Sequence, residues 1–138
     1  MSTKLNKREI EKFSRQIILK NIGALGQRKI GEAKVLIIGM GGLGCPAAEF
    51  LTRSGIGTLG IVDYDKVSLS NIHRQTLYTE KDINKSKVKI SKKKLNEINP
   101  RTKINIFDYK IDKIKLSKIV KNYDYIIDGT DNFESKFL

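Results

Sequence analysis

Short apolar runs alternate with amphipathic stretches along this chain, and the two patterns predict different elements. Short β-branched and apolar runs predict four buried strands at residues 34–39, 58–63, 103–109 and 124–129. Apolar residues at helical spacing predict helices at residues 8–19, 24–33, 42–54 and 86–98, with shorter ones near 117–121 and after Asn132. Because strands that alternate with helices form a parallel sheet with right-handed crossovers, we expect a doubly wound α/β fold.

These elements divide the chain into two parts. Residues 1–33 contain only helices and are expected to form an N-terminal helical arm, whereas residues 34–138 contain all the strands and are expected to form one α/β domain. Ligands of such sheets bind beyond the carboxyl ends of the strands. That rule marks residues 39–44, the chain from Asp63 onward, and residues 129–132 as candidate site segments.

Composition narrows the class of protein. The chain has 138 residues, of which 39% are apolar and 30% charged, and this indicates a globular domain rather than a disordered chain. Its single cysteine, Cys45, allows no internal disulfide, and the polar N-terminus lacks the apolar core of a secretory signal. No apolar run approaches the roughly 18 residues of a membrane span, so we expect a cytoplasmic protein without a membrane partner.

The formal net charge of +12 adds less information. Such a charge favours acidic partners, but lysine, isoleucine and asparagine are abundant along the whole chain, so a compositional bias explains most of it. The basic helix at residues 85–94 carries no aromatic stacking platform. Nucleic acid is therefore not an expected partner.

A glycine-rich loop follows the first predicted strand and opens a predicted helix. Gly39, Gly41, Gly42 and Gly44 fit the pattern G-x-G-x-x-G, in which bare backbone approaches a phosphate at a helix N-terminus. Asp63 ends the second predicted strand, where a carboxylate can accept hydrogen bonds from ribose hydroxyls. The pattern indicates nucleotide binding and leaves both NAD and ATP open, beside the alternative of a turn built only for packing.

Polar and charged residues gather at the same predicted sheet edge. The segment at residues 64–84 is too long and too polar for a simple connection, which indicates a functional loop. Arg74 and Lys87 could neutralise phosphate oxygens, and Asp131 could hold Mg²⁺. Taken singly, the cations could be surface charges and Asp131 a helix cap. The candidate nucleotide ligands beyond the glycines and Asp63 are Asp65, Ser70, Asn71, Arg74, Lys87, Asp131 and Asn132.

Several segments together resemble the ThiF/MoeB/HesA family, the bacterial relatives of ubiquitin-activating enzymes. They are F-S-R-Q-I-I-L, V-L-I-I-G-M-G-G-L-G-C, D-Y-D-K-V-S-L-S-N-I-H-R-Q-T, Lys87, I-N-P and G-T-D-N. The resemblance begins near Phe13 and reaches the last residue. Family members are nearly twice as long, so we interpret this chain as their N-terminal half, with an incomplete Rossmann-like nucleotide-binding domain at residues 34–138.

The resemblance implies a reaction. The C-terminal glycine carboxylate of a small ubiquitin-like sulfur-carrier protein, which ends in Gly-Gly, attacks the α-phosphate of ATP. Pyrophosphate leaves and an acyl-adenylate forms, in molybdopterin, thiamine-thiazole or related sulfur-transfer pathways. The implied cofactors are ATP and Mg²⁺. In this resemblance Gly42 belongs to the phosphate-facing loop, Asp63 binds ribose, Asn71 and Arg74 contact the triphosphate and leaving group, and Lys87 is a second phosphate cation.

Two further residues carry over from the family. Asp131 corresponds to the Mg²⁺-linked carboxylate, and Arg15 to an arginine that reaches the nucleotide site of the partner subunit in the family's homodimers. We expect Arg15, Arg74, Lys87 and Asp131 to act in catalysis. The family's zinc-binding cysteine pairs and catalytic cysteine belong to its other half, so we predict neither zinc ligands nor a catalytic cysteine here. His73, the only histidine, excludes a site built from several histidines.

Three rival interpretations remain open at this point. The chain could be an NAD-dependent oxidoreductase domain, which the glycine loop and Asp63 allow but the R-Q-T loop and the G-T-D-N segment disfavour. It could be an inactive or split nucleotide-binding fragment, left by a divided or broken gene. Binding of nucleic acid is the third, and a steep salt dependence of duplex binding would support it.

Overall fold

The computed structural model describes residues 4–130, in which three short helices precede an alternation of strands and helices. The helices are α1 (Lys7–Lys12), α2 (Ser14–Ile17), α3 (Gly23–Glu32), α4 (Gly44–Ser54), α5 (Lys87–Ile98) and α6 (Lys113–Ile119). The strands are β1 (Lys34–Ile38), β2 (Thr58–Val62), β3 (Lys103–Phe107) and β4 (Tyr125–Asp128). Single 3₁₀ turns occupy Leu69–Asn71, Glu80–Asp82 and Val120–Asn122.

The strands of the described residues form one parallel sheet in the order β3-β2-β1-β4. Ile37 of β1 lies between Ile61 of β2 and Ile127 of β4, which illustrates the register. The chain moves outward from β1 to β3 and then returns to the other side of β1. A crevice opens beyond the carboxyl ends of strands at such a reversal. This topology confirms the predicted doubly wound, Rossmann-like α/β fold.

Each face of the sheet buries its own apolar core. Val35 and Ile37 of β1 point to the larger core, which α4 and α5 cover, and the alternating Leu36 and Ile38 point to a smaller core beneath α6. All four side chains are buried. Burial on both faces explains why β1 reads as an uninterrupted apolar run, the pattern typical of parallel strands.

The predicted helix at residues 8–19 is wrong in its middle, because the chain breaks at Phe13 into α1 and α2. The Phe13 ring is buried against Gly55, where a Cβ atom would lie only 2.7 Å from its Cζ. Gln16 Nε2 donates to Gln27 Oε1 at 2.6 Å and to the Ser54 carbonyl at 3.0 Å. These long-range contacts turn the chain, and apolar periodicity alone does not reveal them.

Other predicted boundaries shift by a few residues. The helix expected from residue 42 begins at Gly44, and the strand expected to end at residue 109 ends at Phe107. The short helix expected at residues 117–121 begins at Lys113, because the Asp112 carboxylate caps it by accepting from the Lys115 N–H at 2.7 Å. The helix expected after Asn132 lies outside the described residues, and the division into arm and domain stays a prediction.

None of the helices within residues 4–130 has both the length and the apolar character needed to cross a bilayer.

Candidate functional site

A cavity of about 540 Å³ opens beyond the carboxyl ends of the strands, at the reversal of strand order. Its walls come from the glycine-rich loop after β1, the long loop after β2, the first residue of α5, and short segments after β3 and β4. The volume lies within the range of about 300–1,000 Å³ that is usual for small-molecule sites. This cavity is therefore the candidate site.

Two glycines of the loop are required by the fold itself. Gly39 has a φ of 95°, and a Cβ atom there would lie 3.0 Å from the carbonyl carbon and oxygen of Gly129. A Cβ atom at Gly44 would collide with the carbonyl oxygen of Gly39. The loop can thus close between β1, β4 and α4 only if both positions lack a side chain.

The other two glycines are different. Neither Gly41 nor Gly42 has a positive φ, and a Cβ atom would lie 3.5 Å from Gln75 Nε2 or 3.6 Å from the Arg74 side chain, which is ordinary van der Waals contact. Within residues 4–130, the N–H groups of these two glycines donate no hydrogen bond. Both line the cavity. The fold therefore does not require these two positions to lack a side chain. Close approach of a ligand to the bare backbone would require it.

Asp63 is held rigidly beside this loop. Its Oδ2 accepts from the Met40 N–H at 2.8 Å, and its Oδ1 accepts from the Asp65 N–H at 2.8 Å. A carboxylate has about four lone-pair positions, so each oxygen keeps capacity for a further donor. Asp63 therefore orients the glycine loop and also presents an acceptor to the cavity.

Two of the cationic residues on the cavity wall are the predicted Lys87 and Arg74. Lys87, at the N-terminus of α5, is only 6% exposed, and its Nζ lies 3.8 Å from Oδ2 of the more exposed Asp65. Arg74 lies with its aliphatic stem over Gly42 and donates from Nη1 to the Ser70 carbonyl at 2.9 Å. A buried ammonium with one distant carboxylate is costly unless a further anion joins it. The pair suits a ligand with several negative charges.

The long loop after β2, which carries Arg74, is fixed to the body of the protein. Val67, Leu77 and Tyr78 are buried in the larger core. The carboxylate of Asp82 accepts from Lys94 Nζ of α5 at 2.6 Å. The long loop is therefore an ordered part of the cavity wall, as functional loops of this length often are.

Most of the predicted site residues come together at the cavity. Those on its wall are Gly39, Gly41, Gly42, Asp63, Asp65, Asn71, Arg74 and Lys87. Gly44 is buried beneath the loop, and Ser70 contributes its carbonyl to Arg74 without lining the cavity. Asp131 and Asn132 lie outside the described residues. Their roles as ligands and catalysts stay predictions.

Arg15 lies away from the cavity of its own chain. It is exposed on α2, and the neighbouring Gln16 binds the carbonyl of Ser54, the last residue of α4. α4 begins at the cavity and has 11 residues, so its end lies about 16 Å away at the opposite edge of the sheet.

Sequence reasoning missed several residues on the cavity wall. The signal for Tyr109, Lys110 and Ile111 is their position directly after β3, because ligands bind beyond the carboxyl ends of the strands. Gln75 is 4% exposed, and its Oε1 has no hydrogen-bond partner among residues 4–130. Tyr64 borders the mouth. Only the folded loop reveals which of its polar residues turn inward, since the loop has no regular period.

Cys45 is a packing residue in this arrangement. It is fully buried in the first turn of α4, and its Sγ donates weakly to the Met40 carbonyl at 3.5 Å. Burial raises the pKa of the Cys45 thiol, against the opposing effect of its hydrogen bond with Tyr78. A protonated, inaccessible thiol is a poor nucleophile.

No group of three or more metal-binding His, Cys, Asp or Glu side chains occurs in the part of the chain that the structure describes.

Comparison with known proteins adds the family. The sequence pattern of the ThiF family matches residues 13–138. The probable molybdopterin-synthase adenylyltransferase of Gracilaria tenuistipitata var. liui is 42% identical over 137 residues, which are 99% of this chain and 39% of that protein. The adenylyltransferase and sulfurtransferase MOCS3 of Drosophila willistoni is 42% identical over 138 residues, which are 100% of this chain and 30% of that protein. This chain thus spans less than half the length of either relative.

Solved structures agree with the fold. PaaA matches with a TM-score of 0.83 at 34% identity, over 93% of this chain and 42% of PaaA. E. coli MccB, in a crystal structure with AMPCPP and MccA, matches with a TM-score of 0.65 at 34% identity, over 67% of this chain and 28% of MccB. Together with the match over residues 13–138, these similarities give the conclusion that the chain belongs to the ThiF family.

Proposed function

We propose that this chain supplies the nucleotide site of an enzyme that adenylates the C-terminal glycine of a ubiquitin-like sulfur-carrier protein ending in Gly-Gly. A carboxylate oxygen of the carrier attacks the α-phosphorus of ATP, the bond to the pyrophosphate oxygen breaks, and acyl-adenylate and pyrophosphate result. The observation that carries the proposal is that, within residues 4–130, the N–H groups of Gly41 and Gly42 donate no hydrogen bond and share one cavity with Arg74 and Lys87.

These groups suit the charge that the reaction develops. Nucleotidyl transfer spreads negative charge over phosphate oxygens, so fixed N–H donors and cations stabilise the transition state more than the ground state. We assign the phosphates to Gly41, Gly42, Arg74 and Lys87. The carboxylate of Asp63, already oriented by two backbone N–H groups, would accept from the ribose hydroxyls.

The bare backbone of the glycine loop suits a phosphate chain, and a carboxylate oxygen is a ligand that suits Mg²⁺. A carboxylate that follows β4, Asp131, would hold the ion through one oxygen and water molecules. Mg²⁺ would neutralise phosphate charge in the transition state. The attacking group is the carrier's own carboxylate, so no protein nucleophile is required for this step, in accord with the buried Cys45.

Two observations favour ATP over NAD⁺. Arg74 and Lys87 offer two cations to one cavity, which matches a triphosphate better than the diphosphate bridge of NAD⁺. MccB, 34% identical over its matched part, was solved with the adenosine nucleotide AMPCPP. Two curated relatives are named adenylyltransferases, one of them of molybdopterin synthase. We therefore favour a molybdopterin-type carrier and a cytoplasmic reaction.

A second subunit completes the site in this proposal. Arg15 lies near the edge of the sheet opposite to its own cavity, because Gln16 is bound to the end of α4. An arginine from a second copy of the chain could reach the transferred phosphate instead. We infer a homodimer in which each Arg15 serves the cavity of the partner.

ATP–pyrophosphate exchange tests the reaction. We expect radioactive pyrophosphate to enter ATP only when the chain is mixed with a carrier that ends in Gly-Gly, and not with the same carrier lacking its last glycine. Lys87→Met should abolish exchange, whereas the exposed Lys89→Met on the same helix should leave it unchanged. Exchange that needs no carrier, or that ignores Lys87, would contradict the proposal. ATP binding without exchange would support the alternative of a nucleotide-binding fragment.

A further inference from the structure

Tyr78 anchors the long loop in the larger core, and its hydroxyl also touches the glycine loop. It belongs to the long loop after β2 and is 3% exposed. Its hydroxyl donates to the Met40 carbonyl at 2.6 Å and lies 3.3 Å from Ser91 Oγ on α5. A short, buried hydrogen bond of this kind restricts the group that accepts it.

The accepting carbonyl of Met40 belongs to the glycine-rich loop, to which we assign the phosphates. Every described peptide bond is trans, and in a trans peptide the C=O of one residue and the N–H of the next point in opposite directions. The Met40 carbonyl is drawn inward by Tyr78 and, more weakly, by Cys45 Sγ at 3.5 Å. The N–H of Gly41 must then point outward, to the cavity that Gly41 lines.

The neighbouring peptides are fixed by other groups. The Met40 N–H donates to Asp63 Oδ2 at 2.8 Å, and the Gly41 carbonyl accepts from the Cys45 N–H at 3.0 Å as α4 begins. Within residues 4–130, the side chain of the segment 64–84 that bonds one of these peptides is Tyr78, which holds the peptide between Met40 and Gly41. Its orientation is therefore the one that Tyr78 controls.

We propose that the Tyr78 hydroxyl is a positioning group that presets the Gly41 N–H for a phosphate oxygen of the bound nucleotide. The proposal rests on the proposed function only in requiring a ligand with phosphates, and not on the identity of the carrier. Without the hydroxyl, this peptide unit can rotate, and a phosphate must then restrict it at the moment of binding. Such a cost lowers affinity.

The surroundings of the hydroxyl favour its protonated, donating form. Burial raises the pKa of Tyr78 far above its ordinary value, and the nearby Cys45 and Asp63 act in the same direction. The hydrogen bond from the Tyr78 hydroxyl to the Met40 carbonyl is therefore not a pH switch.

Tyr78→Phe tests the proposal, since it removes only the hydroxyl and keeps the ring in the core. We expect affinities for ATP and for inorganic pyrophosphate to fall by about tenfold, as is usual for the loss of one well-made hydrogen bond. Affinity for adenosine, which has no phosphate, should change by less than about twofold. Tyr123→Phe is the matched control, because its hydroxyl accepts from Asn105 Nδ2 at 3.1 Å and does not touch the loop. It should leave all three affinities unchanged.

A second measurement needs no ligand. In the ¹³C-labelled chain, loss of the hydrogen bond in Tyr78→Phe should shift the Met40 carbonyl-carbon resonance, while Tyr123→Phe should not. If wild-type protein bound no phosphate compound, the proposed function would fail. The resonance shift would still test whether Tyr78 orients the peptide between Met40 and Gly41. An unchanged Met40 resonance, an unchanged affinity for ATP, or equal losses for ATP and adenosine would each overturn the inference.

Discussion

Two requirements can determine which residue occupies a position at the cavity, that of the fold and that of a ligand. Gly39 and Gly44 have no room for a side chain, whereas Gly41 and Gly42 have room and still lack one. Lys87 is similar, because its buried ammonium has one carboxylate at 3.8 Å and gains little from it. The described fold gives no reason for Gly41, Gly42 and Lys87, and we propose that a ligand supplies it.

The glycines give a stability test. Gly44→Ala should lower the free energy of unfolding by at least about 3 kcal/mol, because the new Cβ atom collides with the Gly39 carbonyl. Gly42→Ala should change it by less than about 1 kcal/mol, since its Cβ atom meets Arg74 at ordinary distance. Urea denaturation of both variants measures the difference. Equal losses would show that Gly42 is also required by the fold.

Lys87 should contribute to the affinity for ATP and not to the stability of the fold. We expect Lys87→Met to leave the free energy of unfolding unchanged or to raise it by about 1 kcal/mol, because a buried charge is replaced by an apolar side chain. Affinity for ATP should fall by about tenfold or more. Calorimetric melting and titration with ATP measure the two effects. A large loss of stability would instead identify Lys87 as a structural partner of Asp65.

At the scale of elements, the long loop after β2 shows how a polar segment becomes a fixed wall. Three buried side chains and one ion pair, Asp82 with Lys94 at 2.6 Å, hold it against α5 and the core. Burial disfavours the charged form of Asp82, but the hydrogen bonds from Lys94 and the Thr79 N–H outweigh it and hold the pKa of Asp82 below its usual range.

This pKa predicts a pH dependence. A lowered pKa in the folded state means that Asp82 stabilises the protein above its unfolded pKa of about 4, and that this contribution is lost as the pH falls through the folded value. Asp82→Asn should therefore cost about 1–2 kcal/mol at pH 7 and flatten the loss of stability below pH ~4. The exposed Glu80→Gln in the same turn is the control. Parallel curves for wild type and Asp82→Asn would contradict this assignment.

The elements also show what a sequence can predict. The four strands were predictable because each is an apolar run bounded by polar or glycine residues, and the glycine loop because its spacing has a physical reason. The break at Phe13 was not, since it depends on Gly55 and Ser54, about 40 positions away in the chain. Gln75 and Tyr78 were missed for the same reason, because tertiary packing alone turns them inward.

At the scale of the whole molecule, the reversal of strand order gathers the segments that follow all four described strands, and the start of α5, at one edge. The N-terminal helices are held at the other edge through Gln16 and Gln27, which both bind the Ser54 carbonyl. The nucleotide role that we propose for Arg15 therefore requires a second copy of the chain. This arrangement makes the proposed active unit a dimer.

Mixing two variants tests that arrangement. Arg15→Ala and Lys87→Met should each bind ATP weakly when pure, but a mixture allowed to exchange subunits should recover one intact site per mixed dimer. That site combines Lys87 of one copy with Arg15 of the other. Titration with ATP before and after mixing measures the recovery. If mixing restores nothing although mixed dimers form, Arg15 does not act across the subunits.

Equilibrium binding of Mg·ATP, with NAD⁺ as competitor and Gly42→Ala as the matched variant, tests whether the bare backbone of the glycine loop binds ATP in this cavity. We expect saturable ATP binding to wild type that NAD⁺ does not displace, and affinity at least about tenfold weaker in a normally folded Gly42→Ala protein. Displacement of ATP by NAD⁺, or equal ATP affinity in wild type and Gly42→Ala, would contradict this expectation.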